Sequence, residues 1–292
     1  MTRDLHDGFR DPGRVPAGDL ERFLEHADRL PGIRVVQRAL RDALDVRPGM
    51  RLLDAGCGIG LETTRLAADN PHTLVTGLDR NGELLQIAQR RADPQPANLR
   101  WLEADLAALE LPEASFDAIR TERVLMYLLE EGFQRALDDL IRALRPGGRL
   151  AVFELDYTAT ILAPGSADDA GLRRIGEALR ASLPQPLAGR QIPGLLAARG
   201  MRDIAALPFP IAVDEPVWRR IVSDTLTAST PPDPLISAWV GEQEAAAARG
   251  EFVGAFTGIL TSASRPRDLA PELAREPRPF VQPKSRPTDW RT

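Results

Sequence analysis

The most restrictive feature of this sequence is a short apolar segment that runs directly into three glycines at alternate positions. The segment reads LLDAGCGIG over residues 52–60, and a helical pattern of apolar residues follows over residues 60–68. Glycine has no Cβ, so the backbone can turn sharply here and lie close to a ligand. The segment predicts a strand, a tight loop and a helix that form a binding site at the end of the strand.

The alternation of strand and helix patterns continues along the chain. Strands are predicted at residues 50–55, 74–78, 99–102, 116–121 and 149–155. Two helices, interrupted at Pro31 and Gly32, are predicted within residues 19–45, and further helices at residues 60–68, 82–91 and 131–144. Parallel neighbours need crossover connections, which place helices on both faces of the sheet. We therefore expect an α/β fold with a doubly wound, mostly parallel sheet. Residues 201–207 and 251–262 are expected to complete the sheet edge as an antiparallel pair.

Composition and charge exclude several classes of function. The 42 acidic residues outnumber the 37 basic ones and no unbroken basic run occurs, so nucleic acid is not an expected partner. One cysteine, Cys57, and three histidines are too few for a disulfide framework or a structural zinc site, and no metal is expected. The chain has no apolar run of about 18 residues and no signal-peptide core at its first residues, which predicts a cytoplasmic location without membrane binding.

The glycine pattern alone leaves alternatives open. A dinucleotide fingerprint, GxGxxG, would place a pyrophosphate on the helix N-terminus, but Leu61 stands where its last glycine belongs. The spacing here is GxGxG after Asp54, which weakens that interpretation. A simple tight turn is the other alternative.

Residues 53–60, LDAGCGIG, resemble the glycine loop of class I S-adenosylmethionine-dependent methyltransferases, and later segments continue the resemblance. These are VTGLD at residues 75–79, LEADL at 102–106 and TERVLMYL at 121–128, the last similar to a pattern of small-molecule methyltransferases. The matching motifs extend over residues 47–157. The resemblance implies a Rossmann-like methyltransferase fold with a seven-stranded sheet, and S-adenosylmethionine as cofactor.

The resemblance also implies roles for individual residues in cofactor binding. The loop would hold the methionine part, with Asp54 near its ammonium and its carboxylate near the amides of residues 58–61, where the helix dipole contributes roughly 0.3–1 kcal/mol. Asp79 would accept hydrogen bonds from the ribose hydroxyls, unless it caps the next helix, and Asp105 and Leu106 would bind adenine. The residues expected to bind the cofactor are Asp54, Gly56, Cys57, Gly58, Gly60, Asp79, Arg80, Asp105, Leu106, Thr121 and Glu122.

The candidate catalytic residues follow the fourth and fifth strands. Tyr127 stands where relatives usually carry histidine, so a histidine base at that position is excluded; the tyrosine either orients an acceptor or packs. Glu154 and Asp156 share one side of their strand, where they either face the ligand crevice or pair with arginines of a cap. The predicted catalytic set is Tyr127, Glu154, Asp156 and Glu122, and Tyr157 is a further candidate.

The resemblance suggests three regions. Residues 1–46 are expected to form an N-terminal helical lid, and residues 47–265 the Rossmann-like methyltransferase domain with a cap insertion around 158–250. Residues 266–292 are expected to form a mobile proline-rich tail, although its own Phe280 and Trp290 could dock. We expect the lid histidines, His6 and His26, to be exposed to solvent rather than part of the site. Trp218 in the cap could stack on a flat substrate or pack between helices, and the same holds for Trp239.

The predicted function is methyl transfer from S-adenosylmethionine to a C-, N- or O-nucleophile of a small organic molecule, in natural-product biosynthesis. Such a transfer is an in-line displacement, in which the protein mainly holds the nucleophile near the methyl carbon in a dry pocket. The protein is expected to be a monomer or homodimer. The alternative is a protein of the same fold that binds S-adenosylmethionine without methyl transfer, such as a cyclase or a regulatory module.

Overall fold

A seven-stranded sheet forms the centre of the computed structural model, which describes residues 4–163, 165, 167–227 and 233–267. The strands are β1 (Arg51–Ala55), β2 (Leu74–Asp79), β3 (Leu99–Glu103), β4 (Phe116–Glu122), β5 (Leu144–Leu162), β6 (Arg202–Ala212) and β7 (Gly254–Ser264). Their order across the sheet is β3-β2-β1-β4-β5-β7-β6. The five strands from β3 to β5 pair in parallel, and β7 runs antiparallel to both β5 and β6.

Helices cover both faces of this sheet. They are α1 (Leu5–Arg10), α2 (Ala17–Arg29), α3 (Pro31–Leu44), α4 (Leu61–Asp69), α5 (Gly82–Arg91), α6 (Glu130–Ala143), α7 (Asp169–Ala181), α8 (Ala188–Ala198), α9 (Glu215–Trp218), α10 (Asp224–Thr227) and α11 (Pro234–Ala248). A 3₁₀ turn spans Leu125–Tyr127, and a π-helical segment, Arg219–Ser223, joins α9 to α10. The fold is therefore the predicted α/β doubly wound sheet with seven strands.

The sheet is buried on both faces because its central strands are apolar throughout. Leu52 and Leu53 are neighbours in β1, point to opposite faces, and are both fully buried. α3 packs against β5, β6 and β7, and its buried face carries Val36 and Leu40. Each such side chain stabilises the fold by about 1.5–3 kcal/mol relative to an exposed position.

Most predicted elements occur with bounds that differ by one or two residues. α5 has the predicted bounds because Asn81 caps its N-terminus, accepting hydrogen bonds from the backbone N–H groups of Glu83 and Leu84. β5 is longer than predicted, since its pairing with the antiparallel β7 continues to Leu162. The helical run from α9 to α10 was not predicted. Neither was α1, which at six residues is too short to show a period.

Helices precede the first strand and also connect the last three strands. α1 and α2 lie before β1, α7 and α8 connect β5 to β6, and α9 to α11 lie between β6 and β7. The predicted tail falls almost wholly on residues 268–292, which lie outside the described residues, as do Phe280 and Trp290. In the described ranges, we find no helix with the length and apolar character that a membrane span requires.

Candidate active site

A cavity of about 1260 Å³, its open mouth included, lies beyond the carboxyl ends of β1, β2, β3 and β4. β1 is the first strand in the chain, and its neighbours β2 and β4 lead away in opposite directions across the sheet. Open α/β sheets bind ligands at such a point, because the loops there diverge and leave a crevice. Helices α1 and α2 contribute residues to the other side of the cavity.

The glycine loop is fixed in place by backbone contacts. The N–H groups of Gly56 and Cys57 both donate to the Leu78 carbonyl at the end of β2, at 2.7 and 2.8 Å. Gly56 has a φ of 80°, and a Cβ added to it would lie 2.2 Å from Cγ2 of Val124. Any other residue would be strained at this φ and would clash with Val124. The loop therefore brings bare backbone to the cavity wall at Gly56 and Gly58.

Asp79 joins the end of β2 to the glycine loop. One carboxylate oxygen accepts a hydrogen bond from the Gly58 N–H at 2.7 Å, and the other accepts from the Asn81 N–H at 2.9 Å. Burial raises the pKa of Asp79, and these two N–H groups oppose that rise. Because Asn81 caps α5, the alternative role of Asp79 as the helix cap is wrong. Asp79 lies in the cavity wall, and its remaining lone pairs can accept further hydrogen bonds.

The expected carboxylate site at the amides of residues 58–61 is already partly filled by the protein. The Gly58 N–H is bonded to Asp79, and the Gly60 N–H donates to the Cys57 carbonyl at 2.9 Å. Gly60 and Cys57 lie outside the cavity wall. Burial also raises the pKa of the Cys57 thiol well above its usual value, so the thiol stays protonated at neutral pH. Cys57 and Gly60 therefore fix the shape of the loop without lining the cavity.

A buried group of charges supports the loop from below. Arg120, 2% exposed, donates to Asp54 at 3.1 Å and to Glu122 at 2.5 Å. The Thr63 hydroxyl donates to the other oxygen of Asp54 at 2.6 Å. Burial raises the pKa of Asp54, whereas Arg120 and Thr63 oppose that rise. Asp54 is therefore buried outside the cavity wall, and so is Thr121. Glu122, in contrast, lines the cavity.

The end of β3 supplies the residues predicted to bind adenine. Asp105 accepts a hydrogen bond from the Ala107 N–H at 2.9 Å, and its second oxygen lies 3.6 Å from Nη1 of Arg80. Leu106 is 5% exposed. Asp105, Leu106 and Arg80 all line the cavity.

The charges of the cavity wall sum to one negative charge. Asp79, Asp105 and Glu122 line it together with two arginines, Arg80 and Arg123. Both guanidinium groups already have acidic partners, since Arg80 lies 3.6 Å from Asp105 and Arg123 lies 2.9 Å from Glu122. The wall therefore favours a ligand that carries positive charge and offers no unpaired cation to an anionic one.

Glu154 was predicted to face the cavity, but it lies outside the cavity wall. Side chains alternate along β5, and Leu155 and Tyr157 line the cavity while Glu154 lies behind its wall. The Glu154 carboxylate accepts hydrogen bonds from the backbone N–H groups of Val124 and Leu125 at 2.9 and 2.7 Å. Burial raises its pKa to about 7. Glu154 therefore holds the 3₁₀ turn in position and lies outside the cavity wall.

Asp156 also lies outside the cavity wall, contrary to the prediction. One of its oxygens accepts from the backbone N–H and the hydroxyl of Thr158, at 3.0 and 2.6 Å, and the other pairs with Arg190 of α8. The alternative interpretation, an ion pair between Asp156 and an arginine of the cap, is the correct one. Asp156 thus fixes α8 to β5.

Tyr127 lines the cavity and contacts an unexpected partner. Its hydroxyl lies 3.1 Å from Nδ1 of His6, which α1 carries into the interior. His6 is fully buried, so the expectation that it is exposed is wrong. Burial lowers its pKa to about 4, which keeps the imidazole neutral at pH 7. His26 instead remains partly exposed and bonds Asp214 at 2.6 Å.

The remaining wall is apolar and comes from distant parts of the chain. Its members are Phe9, Phe23, Leu24, Ala27, Leu30, Ile33, Met126, Leu128, Leu155, Ile211, Val213, Val217, Ile221 and Phe256. Sequence reasoning missed this set, because no local pattern connects α1 and α2 with β6 and β7. Trp218 and Trp239 lie outside the wall and pack on each other with ring centroids 6.0 Å apart, so they serve helix packing.

Comparison with known proteins identifies the fold and family. Residues 52–148 match the family model described as a methyltransferase domain. The chain is 33% identical over 199 residues to the trans-aconitate 2-methyltransferase of Azoarcus sp. (strain BH72), an alignment that covers 66% of this chain and 64% of that protein. It is 40% identical over 114 residues to an uncharacterized methyltransferase of Mycobacterium bovis, covering 39% of this chain and 55% of the relative. Residues 52–148 thus match a methyltransferase domain.

The solved structures agree with this identification at the level of the fold. The Haemonchus contortus phosphoethanolamine N-methyltransferase 2, solved in complex with phosphomonomethylethanolamine and S-adenosylhomocysteine, matches 89% of this chain with a TM-score of 0.57 at 16% identity, over 60% of its own length. The predicted fold is therefore confirmed, and the domain match confirms the predicted methyltransferase resemblance. The chain spans roughly half of the length of the curated relatives it matches, 55% and 64% for the two named above. Among the described residues, the methyltransferase domain has no cluster of three or more His, Cys, Asp or Glu that could hold a metal.

Proposed function

We propose that this protein transfers the methyl group of S-adenosylmethionine to a small organic molecule, in natural-product biosynthesis. The observation that carries the proposal is a single cavity with two unlike halves. An acidic half lies at the ends of β1 to β4, and an apolar half is formed by α1, α2 and the β5 to β7 region. The first suits a charged cofactor and the second suits an organic acceptor, so both would meet inside one enclosure.

The residues of the acidic half fit the parts of S-adenosylmethionine. We assign Asp79 to the ribose hydroxyls, because its carboxylate has free lone pairs in the cavity wall. Asp105 would accept from the adenine amino group, with Leu106 against the ring. The net negative charge of the wall suits a cofactor with an ammonium and a sulfonium, and we assign Glu122, a carboxylate of that wall, to the ammonium.

When bound, the cofactor supplies an electrophilic methyl group attached to a positively charged sulfur. The protein's part is to position the nucleophile and to exclude water. The apolar residues of α1, α2 and β7 would exclude water, and Tyr127 would orient the acceptor from the wall. Glu122 is a poor candidate for a proton acceptor, because Arg120 and Arg123 both bind its carboxylate. Of the four predicted catalytic residues we therefore retain Tyr127.

Calorimetry with S-adenosylhomocysteine tests the cofactor assignment. We expect binding to the wild type, and binding at least tenfold weaker to Asp79→Ala, because a lost hydrogen bond to a charged group costs about 1.5–3 kcal/mol. Asp79→Asn, which keeps one oxygen, should lie between the two. Asp69→Ala is a matched control, since Asp69 is exposed at the end of α4. Absence of heat with the wild type, or equal affinity for Asp79→Ala and Asp69→Ala, would refute the assignment.

A second experiment tests the transfer itself. The protein is incubated with S-adenosylmethionine that carries a labelled methyl group, together with a panel of small organic acceptors. The proposal predicts label in an acceptor product and stoichiometric S-adenosylhomocysteine. Cofactor binding without any labelled product across the panel would favour the alternative of a binding module.

A further inference from the structure

Three polar rings lie together at the apolar half of the cavity: Tyr127 and Tyr157 in its wall and His6 behind them, which we call the ring cluster. Both tyrosines line the cavity, and both pack against the His6 imidazole, with ring centroids 5.7 and 6.2 Å from it. Tyr157 is 2% exposed. Its hydroxyl is buried and has no hydrogen-bond partner among the described residues. A buried hydroxyl without a partner is costly, so this one is free to bind a ligand atom.

The direction of the hydrogen bond between Tyr127 and His6 depends on the tautomer of the imidazole. His6 is neutral at pH 7, since burial lowers its pKa to about 4. The Ile221 carbonyl is an acceptor near the His6 ring, and it raises the pKa of His6. Nε2 of His6 nevertheless forms no hydrogen bond of ordinary geometry with the described residues. This surrounding favours the tautomer with its proton on Nε2. Nδ1 then accepts from Tyr127, whose oxygen keeps lone pairs for a ligand donor.

The two hydroxyls therefore offer complementary hydrogen bonds. Tyr157 has a proton to donate, and Tyr127 has a lone pair that can accept. A ligand group that satisfies both must accept one hydrogen bond and donate another, as a hydroxyl does. An ether or a ketone can only accept, so it would leave Tyr127 without a donor.

The rest of the wall argues against a charged acceptor. The two arginines of the wall, Arg80 and Arg123, are paired with Asp105 and Glu122. Neighbours of the ring cluster such as Phe9 and Phe256 are apolar, with Phe9 5.4 Å from the Tyr127 ring and Phe256 5.4 Å from the Tyr157 ring. A carboxylate or phosphate here would lose its hydration without gaining a cation, which is strongly unfavourable.

We propose, on the basis of the proposed methyl transfer, that the acceptor is a neutral, mainly apolar molecule whose hydroxyl group binds between Tyr127 and Tyr157. His6 is a positioning residue in this arrangement, because it acts on the ligand only through Tyr127. The proposal names the chemical class of acceptor that the cavity recognises.

Three probes of one ring size test this proposal: 1-naphthol, 1-methoxynaphthalene and 1-naphthoate, each titrated at pH 7 into protein saturated with S-adenosylhomocysteine. We expect 1-naphthol to bind about three- to tenfold more tightly than the ether, which cannot donate to Tyr127, and 1-naphthoate to bind most weakly. Tyr127→Phe should abolish the preference for naphthol over the ether. Tyr157→Phe should weaken both by about three- to tenfold and preserve the preference, since both probes accept from Tyr157.

The outcomes separate this proposal from the proposed function. If S-adenosylhomocysteine binds but the three probes bind equally, or do not bind, or naphthoate binds best, the acceptor proposal is wrong and the cofactor assignment stands. If both Phe variants unfold cooperatively and bind all probes as the wild type does, the ring cluster has no role in recognition and the proposal is also wrong. If S-adenosylhomocysteine does not bind the wild type, both proposals fail.

Discussion

The two halves of the cavity are built in different ways. The acidic half comes from loops that each follow a strand, and its residues lie between Gly56 and Arg123 in the sequence. The apolar half combines helices of the first 33 residues with β6, α9 and β7, so that Phe9 and Phe256 line one wall although 247 positions separate them. Local motifs encode the first half, and long-range packing creates the second. The acidic half therefore rests on fixed charges and hydrogen bonds, and the apolar half on side-chain packing.

The largest expected effect is on the charges that support the acidic half. Arg120→Met would leave the nearly buried carboxylates of Asp54 and Glu122 without their shared partner. Breaking a buried ion pair from one side costs about 3–5 kcal/mol, so the free energy of unfolding should fall by that amount in a denaturant titration. Arg38→Met is the control, because Arg38 is exposed on α3, and it should change stability by less than about 0.5 kcal/mol. Equal effects of the two substitutions would show that the buried network does not support the site.

The second effect is on the glycine loop. Gly56→Ala introduces both an unfavourable φ and a clash, with the new Cβ 2.2 Å from Val124. Gly49→Ala tests the unfavourable φ without the clash, because Gly49 has a similar φ, 87°, and no atom lies within 4 Å of the added Cβ. We expect Gly56→Ala to lower the free energy of unfolding by about 1–3 kcal/mol more than Gly49→Ala, and to weaken S-adenosylhomocysteine binding as well. Comparable unfolding and binding curves for the two variants would contradict this account of the loop.

The two halves of the cavity also differ in how well the sequence predicts their residues. The strand ends were predicted correctly, and with them the positions of Asp79 and Asp105 in the cavity wall, because a parallel sheet brings all carboxyl ends to one edge. Asp54 was predicted to face the cofactor but lies outside the wall, because its side chain binds Arg120 and Thr63. The orientation of Glu154 and Asp156 was not predicted correctly, because the alternation of side chains along a strand does not show which face of β5 the cavity occupies. The burial of His6 could not be predicted either, since the six residues of α1 pack against the 3₁₀ turn, the π-helical segment and α10, which are distant in the sequence. A local signal did exist in Asp4, which caps α1 by accepting from the His6 N–H.

A third effect concerns His6, the buried histidine of α1. The pKa of His6 falls from 6.5 unfolded to about 4 folded, with Asp4 and Asp7 opposing the shift and Arg10 adding to it. Between these values the unfolded chain binds the extra proton, so stability is lost as the pH falls from about 6.5 towards 4. Between pH 7 and 5.5 the wild type should lose about 1 kcal/mol relative to His6→Phe, measured by denaturant unfolding at each pH. Parallel pH profiles would show that His6 does not stay neutral when the protein is folded.

The smallest effect compares the two tyrosines of the ring cluster. Tyr127→Phe removes a hydroxyl that bonds His6, so the ligand-free protein should lose about 0.5–1.5 kcal/mol of stability. Tyr157→Phe removes a buried hydroxyl that has no hydrogen-bond partner in the described part of the chain, so the protein should be unchanged or up to about 1 kcal/mol more stable. Thermal unfolding without ligand measures both. Destabilisation of the same size in both variants would mean that the Tyr157 hydroxyl has a partner in the folded protein.

A crystal structure of the protein with S-adenosylhomocysteine tests most directly whether the two halves have separate ligands. The account predicts both ribose hydroxyls within hydrogen-bonding distance of Asp79, the adenine beside Asp105 and Leu106, and no nucleoside atom against Tyr157. A nucleoside bound between α1 and β7, or bound with its ribose away from Asp79, would contradict it.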